Sequence, residues 1–268
     1  MFITGHAEVR AVLSDPSYVP PPVAAGAEPG TLGWLRARVS RFAAGPAHAE
    51  RRALVEARLA VLDPAALRTA AAETTRTLLT GPAAGQATDM ATDMAADMAA
   101  DMATSEATDR TTDMADRVLA HGVPTRVLGP ALGVACTDAL VSDVATVAGG
   151  YLSGVTTPEI DAAVAALAAV AGIPEITILL QAHGATTALL RNAIARPPEP
   201  LAPDDLLRDT LRHDPPVRAT KRVDATGALV EVDLTPDLAF GHGPRRCPGS
   251  GHAMAIATGV LETIMEFR

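Results

Sequence analysis

Apolar residues recur three and four positions apart along most of the chain, the spacing that lines one face of an α-helix. Val9, Val12 and Leu13 form the first such face, over 6–14. Asp15-Pro16 ends it, because a residue before proline is driven out of the helical region. Residues 19–30 are rich in Pro, Gly and Ala and predict a loop. A second helix is expected over 31–43. A third is expected from Ala47 to Leu62, with Leu54, Leu59 and Val61 among its apolar positions. Asp63-Pro64 pairs an N-cap with proline at the first helical position and opens a fourth, to about Leu79.

Helical spacing resumes over 117–122 and 125–133 with Pro124 between, and over 138–150, which ends at Gly149-Gly150. Thr157-Pro158-Glu159 opens a helix to about Val170. A long apolar helix over 173–196 stops at Pro197-Pro198. Pro203-Asp204-Asp205 opens another, which Pro215-Pro216 stops. Residues 217–235 alternate around Gly227 and predict a small strand or hairpin. A last helix is expected over 250–266. The pattern is mainly α with a small β element, read as a single domain over 1–268.

Between the fourth helix and residue 117 the pattern changes. Residues 87–116 repeat ATDM and AADM with a period of four and hold five of the eight methionines. A four-residue step drifts about 40° around a helix each time. Acidic side chains one turn apart also repel. The block is read as a solvated helical or disordered insertion. A partner-binding methionine stripe, or a metal held by Met and Asp, is the competing reading.

Composition narrows the functional classes. A net charge of −9 argues against nucleic acid and against docking on an anionic membrane. No run of about 18 uncharged apolar residues predicts a membrane span. No signal segment is apparent, so a cytoplasmic protein is expected. The two cysteines, Cys136 and Cys247, lie far apart, which disfavours a disulfide scaffold or a cysteine-rich zinc site and fits a reducing compartment. The aromatic share is only 3%, so a core of closely packed Ala- and Leu-rich helices is expected.

The chemistry concentrates in residues 240–249, Phe-Gly-His-Gly-Pro-Arg-Arg-Cys-Pro-Gly, just before the last helix. A cysteine ahead of a helix N-terminus meets unpaired N–H groups and the positive end of the helix dipole, which favour a thiolate. Gly241, Gly243 and Gly249 permit tight turns and close approach of a flat ligand. Pro248 suits a first helical turn. Such a thiolate can bind a metal or act as a nucleophile, whereas a buried structural cysteine explains none of the glycines.

This segment resembles the haem loop of the cytochrome P-450 family, Phe-x-x-Gly-x-(Arg/His)-x-Cys-x-Gly, at Phe240, Gly243, Arg245, Cys247 and Gly249. The resemblance implies haem b bound through the Cys247 thiolate. It also implies haem propionates held by His48 and Arg52, one helical turn apart, by Arg222 in PPVRATKRVDATG, and by Arg245. The opening MFITGHAEVRAVLSDPSY is similar to the family's early strand and helix. The implied fold is a truncated P-450-like fold, because the stretches between Arg222 and Phe240 and between Gly150 and the long helix are shorter than the family's.

Two segments depart from the family. Its buried Glu-x-x-Arg pair falls on Asp209 and Arg212. Its Ala-Gly-x-(Asp/Glu)-Thr-Thr run, which crosses the oxygen side of the haem, falls on Ala182-His183-Gly184-Ala185-Thr186-Thr187. Thr186 keeps the alcohol that faces oxygen, but Ala185 lacks the acid that helps relay protons. His183 has three readings: a packed polar residue, a proton donor over the haem, or a sixth iron ligand.

The resemblance implies a haem-thiolate oxidoreductase, monooxygenase-like or peroxide-driven, acting on a small organic substrate of secondary-metabolite type. Its electrons would come from a ferredoxin-type donor. The alternatives are a non-catalytic helper subunit of another biosynthetic enzyme, which the trimming favours and the intact Cys247 loop opposes, and a degenerate remnant. Homo-oligomerisation is expected to cover apolar surface that the trimming exposes.

Overall fold

A computed structural model describes residues 1–81, 114–196, 201–235 and 237–267. The first part of the chain forms β1 (Phe2–Ile3), α1 (His6–Ser14), α2 (Leu32–Arg36), α3 (Gly45–Ala60) and α4 (Pro64–Thr80). After the undescribed stretch come α5 (114–120), α6 (Val123–Ala131), α7 (Asp138–Tyr151), α8 (Pro158–Val170), α9 (Ile173–Ile194) and α10 (Pro203–His213). The chain continues through β2 (Ala219–Val223) and β3 (Leu229–Asp233) to α11 (Ser250–Glu266). Mainly helical structure with one small sheet is therefore the observed fold class.

Local chemistry accounts for several boundaries. The Asp63 side chain accepts from the Ala65 N–H, and Thr157 accepts from the Ile160 N–H, so both expected caps are made. Each is worth about 1 kcal/mol to its helix. β2 and β3 pair antiparallel around Gly227, whose φ of +87° is open to glycine at little cost. β1 joins β3 in parallel, giving the order β1-β3-β2.

Other boundaries differ from the periodic pattern. Residues 31–43 do not form one helix. They break into α2 and a 3₁₀ turn at Ser40–Phe42, with Val39 extended between them. Arg51 Nη1 donates to the Ala37 and Val39 carbonyls at 2.7 and 3.4 Å, taking over acceptors that a continuous helix would use internally. Pro124 lies inside the first turn of α6 instead of separating two helices. Gly149 and Gly150 close α7 as expected, with the helix running one residue further to Tyr151. A Cβ on Gly150 would collide with the Val155 carbonyl oxygen. Of the repeat block, residues 87–113 lie outside the described residues, and 114–116 belong to α5.

Two apolar clusters organise the chain. The smaller joins Val9, Val12 and Leu13 of α1 to Val230 and Val232 of β3, the strand's inward-facing alternate residues. The larger gathers the helices, with Leu35, Val144, Leu167, Ile176, Leu190 and Leu261 fully buried. Within it α4 runs along α11, and a Cβ on Gly259 would collide with the Arg68 carbonyl oxygen, so glycine sets how close the two backbones come. Arg68 also bonds Glu262, and Arg76 bonds Glu266 at 2.8 Å, securing the same pair of helices. α9 packs against both α3 and α11. The helices bearing His48, Thr186 and the end of the Cys247 loop therefore meet. Among the described residues no helix is long and apolar enough to cross a membrane.

Candidate haem site

The Cys247 loop is shaped by backbone contacts. The Cys247 N–H donates to the Phe240 carbonyl at 2.8 Å and closes the loop on itself. Gly241 and Gly243 have φ of +72° and +66°, the left-handed region that L side chains avoid. A Cβ on Gly243 would sit 2.8 Å from the Leu13 carbonyl oxygen, so the loop rests directly on the end of α1. On the other side, Gly249 faces Leu59 of α3, with a Cβ there 3.6 Å from the Leu59 side chain. Two of the loop's glycines are thus required by conformation or close approach.

α11 begins at Ser250, as expected, so Cys247 stands three residues ahead of it and Pro248 precedes the helix instead of lying in its first turn. The thiol itself departs from the sequence expectation. Burial pushes the Cys247 thiol above its usual range. A backbone hydrogen bond involving Gly249 and the charges of Arg52, Arg41 and Arg246 pull the other way but do not win. Without a ligand Cys247 is a thiol at neutral pH, because removing a thiolate from water outweighs the local positive potential. A metal bound to the sulfur would reverse that balance.

Around the cysteine the fold collects cations. Burial, Arg245 and Arg52 push the His48 imidazole below its usual range, with Arg222 adding to the effect and Glu56 opposing it. Arg222, on β2, is buried, and its guanidinium is pushed down to about 10 by burial and by the charges of Arg245 and Arg41. Arg245 is lowered by burial and by Arg52. Among the described residues Arg222 donates to Thr220 Oγ1 and the Lys221 carbonyl, both at 2.8 Å. Arg245 donates to the Ala43 carbonyl at 2.6 Å. Arg52 bonds Glu56 at 2.6 Å. Among the described residues no carboxylate pairs with Arg222 or Arg245. The structure therefore brings together His48, Arg52, Arg222 and Arg245, from α3, β2 and the loop.

Such a cluster repels itself and carries a large desolvation cost. An anionic ligand offsets both, and two carboxylates suit it best because guanidinium offers paired donors in a fixed fork. The residue set therefore fits a haem with its two propionates. Arg41 belongs to the same field, acting on Cys247, Arg222 and Tyr151, and sequence reasoning missed it. It lies in the short 3₁₀ turn at Ser40–Phe42, with no motif to mark it.

On α9, Thr186 is 2% exposed, and neither its hydroxyl nor that of Thr187 has a partner among the described residues. Other helical threonines behave differently: Thr75, Thr177, Thr210 and Thr263 each donate to the carbonyl one turn earlier. An orphaned buried hydroxyl costs about 1–3 kcal/mol, so a polar ligand or water beside Thr186 and Thr187 would recover free energy. His183 takes another direction. Its Nδ1 is 3.1 Å from Thr125 Oγ1 of α6, its Cε1 lies against Gly122, and burial lowers its pKa. This is the arrangement of a polar residue packed between helices. Ala185 and Gly184 are exposed.

The Asp209 and Arg212 side chains do not pair with one another. Asp209 bonds Arg196 and His213, whereas Arg212 Nε bonds Asp237 at 3.0 Å. The shorter aspartate turns toward the end of α9, and the arginine is left to the segment that leads into the Cys247 loop. A groove of about 610 Å³ runs outside that loop, between Phe240 and Arg246 on one side and Asp205 and Arg208 on the other.

No family model and no curated protein matches this sequence. Solved structures do. The structure of P450BioI in complex with hexadec-9Z-enoic acid ligated acyl carrier protein matches 99% of this chain and 84% of its own, with 16% identity and a TM-score of 0.69. CYP154A1 from Streptomyces coelicolor A3(2) matches 96% and 81%, with 18% identity and a TM-score of 0.64. The ligand-free P450 monooxygenase TamI matches 99% and 76%, with 18% identity and a TM-score of 0.57. With the order of its helices, its three-stranded sheet and the placement of the Cys247 loop, the chain has the cytochrome P450 fold in a shortened form.

Proposed function

We propose that this protein is a haem-thiolate oxidoreductase of the monooxygenase class, acting on a small organic substrate. The observation that carries the reading is the buried Arg222 and half-buried Arg245, clustered with His48 and Arg52 beside the Cys247 loop, with no carboxylate paired to Arg222 or Arg245 among the described residues. Cys247 would bind the iron of haem b. Arg222, Arg245, His48 and Arg52 would hold the propionates. Phe240, Gly243 and Gly249 would shape the loop against the macrocycle. When bound, a thiolate-ligated haem supplies redox chemistry and favours O–O cleavage.

The remaining roles belong to the chain. The Thr186 hydroxyl, unpartnered and buried, would hold a proton donor at the oxygen side. Ala185 offers no carboxylate to deliver protons there, and His183 is held away by Thr125. Peroxide brings its own protons and electrons, so the altered α9 favours peroxide over a ferredoxin-type donor with O₂. The P450BioI complex with an acyl-loaded carrier protein supports considering carrier-tethered acyl groups among the substrates, consistent with secondary metabolism. Domain organisation is proposed as a single haem domain over 1–268 with an insertion at 87–116, and exposed Leu54, Val61, Leu152 and Val155 are compatible with self-association. Purified protein supplemented with haem should take up one equivalent and turn over a small apolar test substrate faster with peroxide than with O₂ and a ferredoxin system. Failure to take up haem would overturn the proposal.

A further inference from the structure

α11 is fixed to α4 along most of its length by the close approach at Gly259 and by Arg68–Glu262 and Arg76–Glu266. Its first turn, nearest Cys247, is secured differently. His252 Nε2 lies 3.1 Å from the Leu59 carbonyl and 3.2 Å from the Leu62 carbonyl. These two residues form the elbow where α3 ends and Asp63 caps α4. Both partners are acceptors, so Nε2 carries the proton and donates to both. The Leu59 side chain also faces Gly249, two residues after Cys247. One residue of α3 therefore meets the Cys247 segment twice, through its side chain and through its carbonyl.

The arrangement has a cost. His252 Nδ1 is buried without a partner among the described residues. A leucine would fill the position without orphaning a nitrogen but could not donate to the elbow. The donated hydrogen bonds offset that cost; the Leu59 carbonyl also accepts from the Leu62 N–H at 3.0 Å, so His252 adds to an elbow that already closes on itself. The donated bonds also join the helix that carries His48 and Arg52 to the helix that follows Cys247.

We infer that His252 is a positioning residue: it clamps the α3–α4 elbow to the first turn of α11 and so sets Cys247 against the cations of α3. This rests on the reading of Cys247 as the iron ligand. A leucine at 252 frees the loop to move relative to α3. A glutamine, whose terminal N–H reaches about as far as imidazole Nε2, retains the clamp.

The test compares His252→Leu and His252→Gln with the unaltered chain. The first readout needs no haem: the rate of alkylation of Cys247 by iodoacetamide, followed by peptide mass spectrometry, with Cys136 in the same chain as internal control. His252→Leu should raise the Cys247 rate about fivefold, the order expected when a hydrogen bond is lost, and leave Cys136 unchanged. His252→Gln should stay close to the unaltered chain. The second readout is the share of the reduced, carbon monoxide-treated haem protein that shows the red-shifted thiolate–carbonyl band, which His252→Leu should lower and His252→Gln restore. An unchanged Cys247 rate in His252→Leu, or an equal rise at Cys136, overturns the inference. The expected rise at Cys247 in His252→Leu, with no thiolate–carbonyl band in the unaltered chain, overturns the haem reading while leaving the clamp supported.

Discussion

Cations from α3, β2 and the Cys247 loop cluster beside one cysteine, and those of His48, Arg222 and Arg245 are depressed by burial and by neighbouring charge. The middle of α9 has no such cluster: Thr186 and Thr187 stand without partners among the described residues, Ala185 offers nothing to a proton, and His183 turns to Thr125. Both regions belong to the same shortened P450 fold. On the proposed reading, the contrast teaches that holding a haem and using it for oxygen chemistry are separable demands. The first needs charge gathered from distant parts of the chain. The second depends on a few positions in one helix turn, and those positions have changed.

The largest expected effect lies on the cation side. Arg222→Gln and Arg245→Gln should each weaken haem binding roughly tenfold or more, since each removes a charge-assisted hydrogen bond. The same substitutions should raise the unfolding midpoint of the haem-free protein, more at the buried Arg222 than at the half-buried Arg245, because a desolvated cation beside other cations is removed. Haem titration and thermal unfolding on the same samples check both directions. A fall in both quantities would mean that the arginines serve the fold and not a ligand.

Second comes a pH dependence. Burial raises the Cys247 thiol, so ligating iron must expel a proton at neutral pH. Thiolate ligation should strengthen about tenfold per pH unit until pH reaches the raised thiol pKa. The haem-free protein responds in the opposite sense. A raised folded pKa gives stability that is complete below the ordinary thiol range and is lost as pH rises through the folded value. Haem titrations from neutral to mildly alkaline pH measure the first slope, and a flat profile would contradict it.

How far this was readable in sequence depends on whether the cause was local. The caps at Asp63 and Thr157 and the hairpin at Gly227 follow from neighbouring residues, and they appear as expected. The family motif around Cys247 was legible for the same reason. The break at Val39 was not, because Arg51, twelve residues away, supplies the hydrogen bonds that make it possible. Nor was the separation of Asp209 from Arg212, which depends on Arg196 and Asp237 being in reach. The sign of the Cys247 shift also escaped: the helix terminus is visible in the sequence, but the burial that outweighs it is not. Arg41 and His252 act across loops and across 193 residues of chain, respectively, and no spacing rule points to either.

The smaller effects probe α9. Ala185→Asp should leave haem affinity unchanged and shift turnover from peroxide toward O₂ with a ferredoxin system, by roughly tenfold or more if the added carboxylate reaches the relay. An unchanged oxidant preference would place the defect elsewhere. His183→Leu should be the mildest. Burial lowers the histidine's pKa, so its stability contribution is present above the ordinary imidazole range and lost as pH falls toward the lowered folded value. The leucine variant should lose that acid-side sensitivity, read from unfolding midpoints, by less than about 1 kcal/mol. Its haem spectrum should be unaltered; a changed spectrum would put His183 over the iron.

The most direct test is the absorption spectrum of haem-supplemented protein after reduction under carbon monoxide, with Cys247→Ala alongside. A red-shifted thiolate–carbonyl band in the unaltered chain, absent from Cys247→Ala, is the expected result. Absence of haem uptake, or the same band in both proteins, would contradict the assignment of Cys247 as the iron ligand.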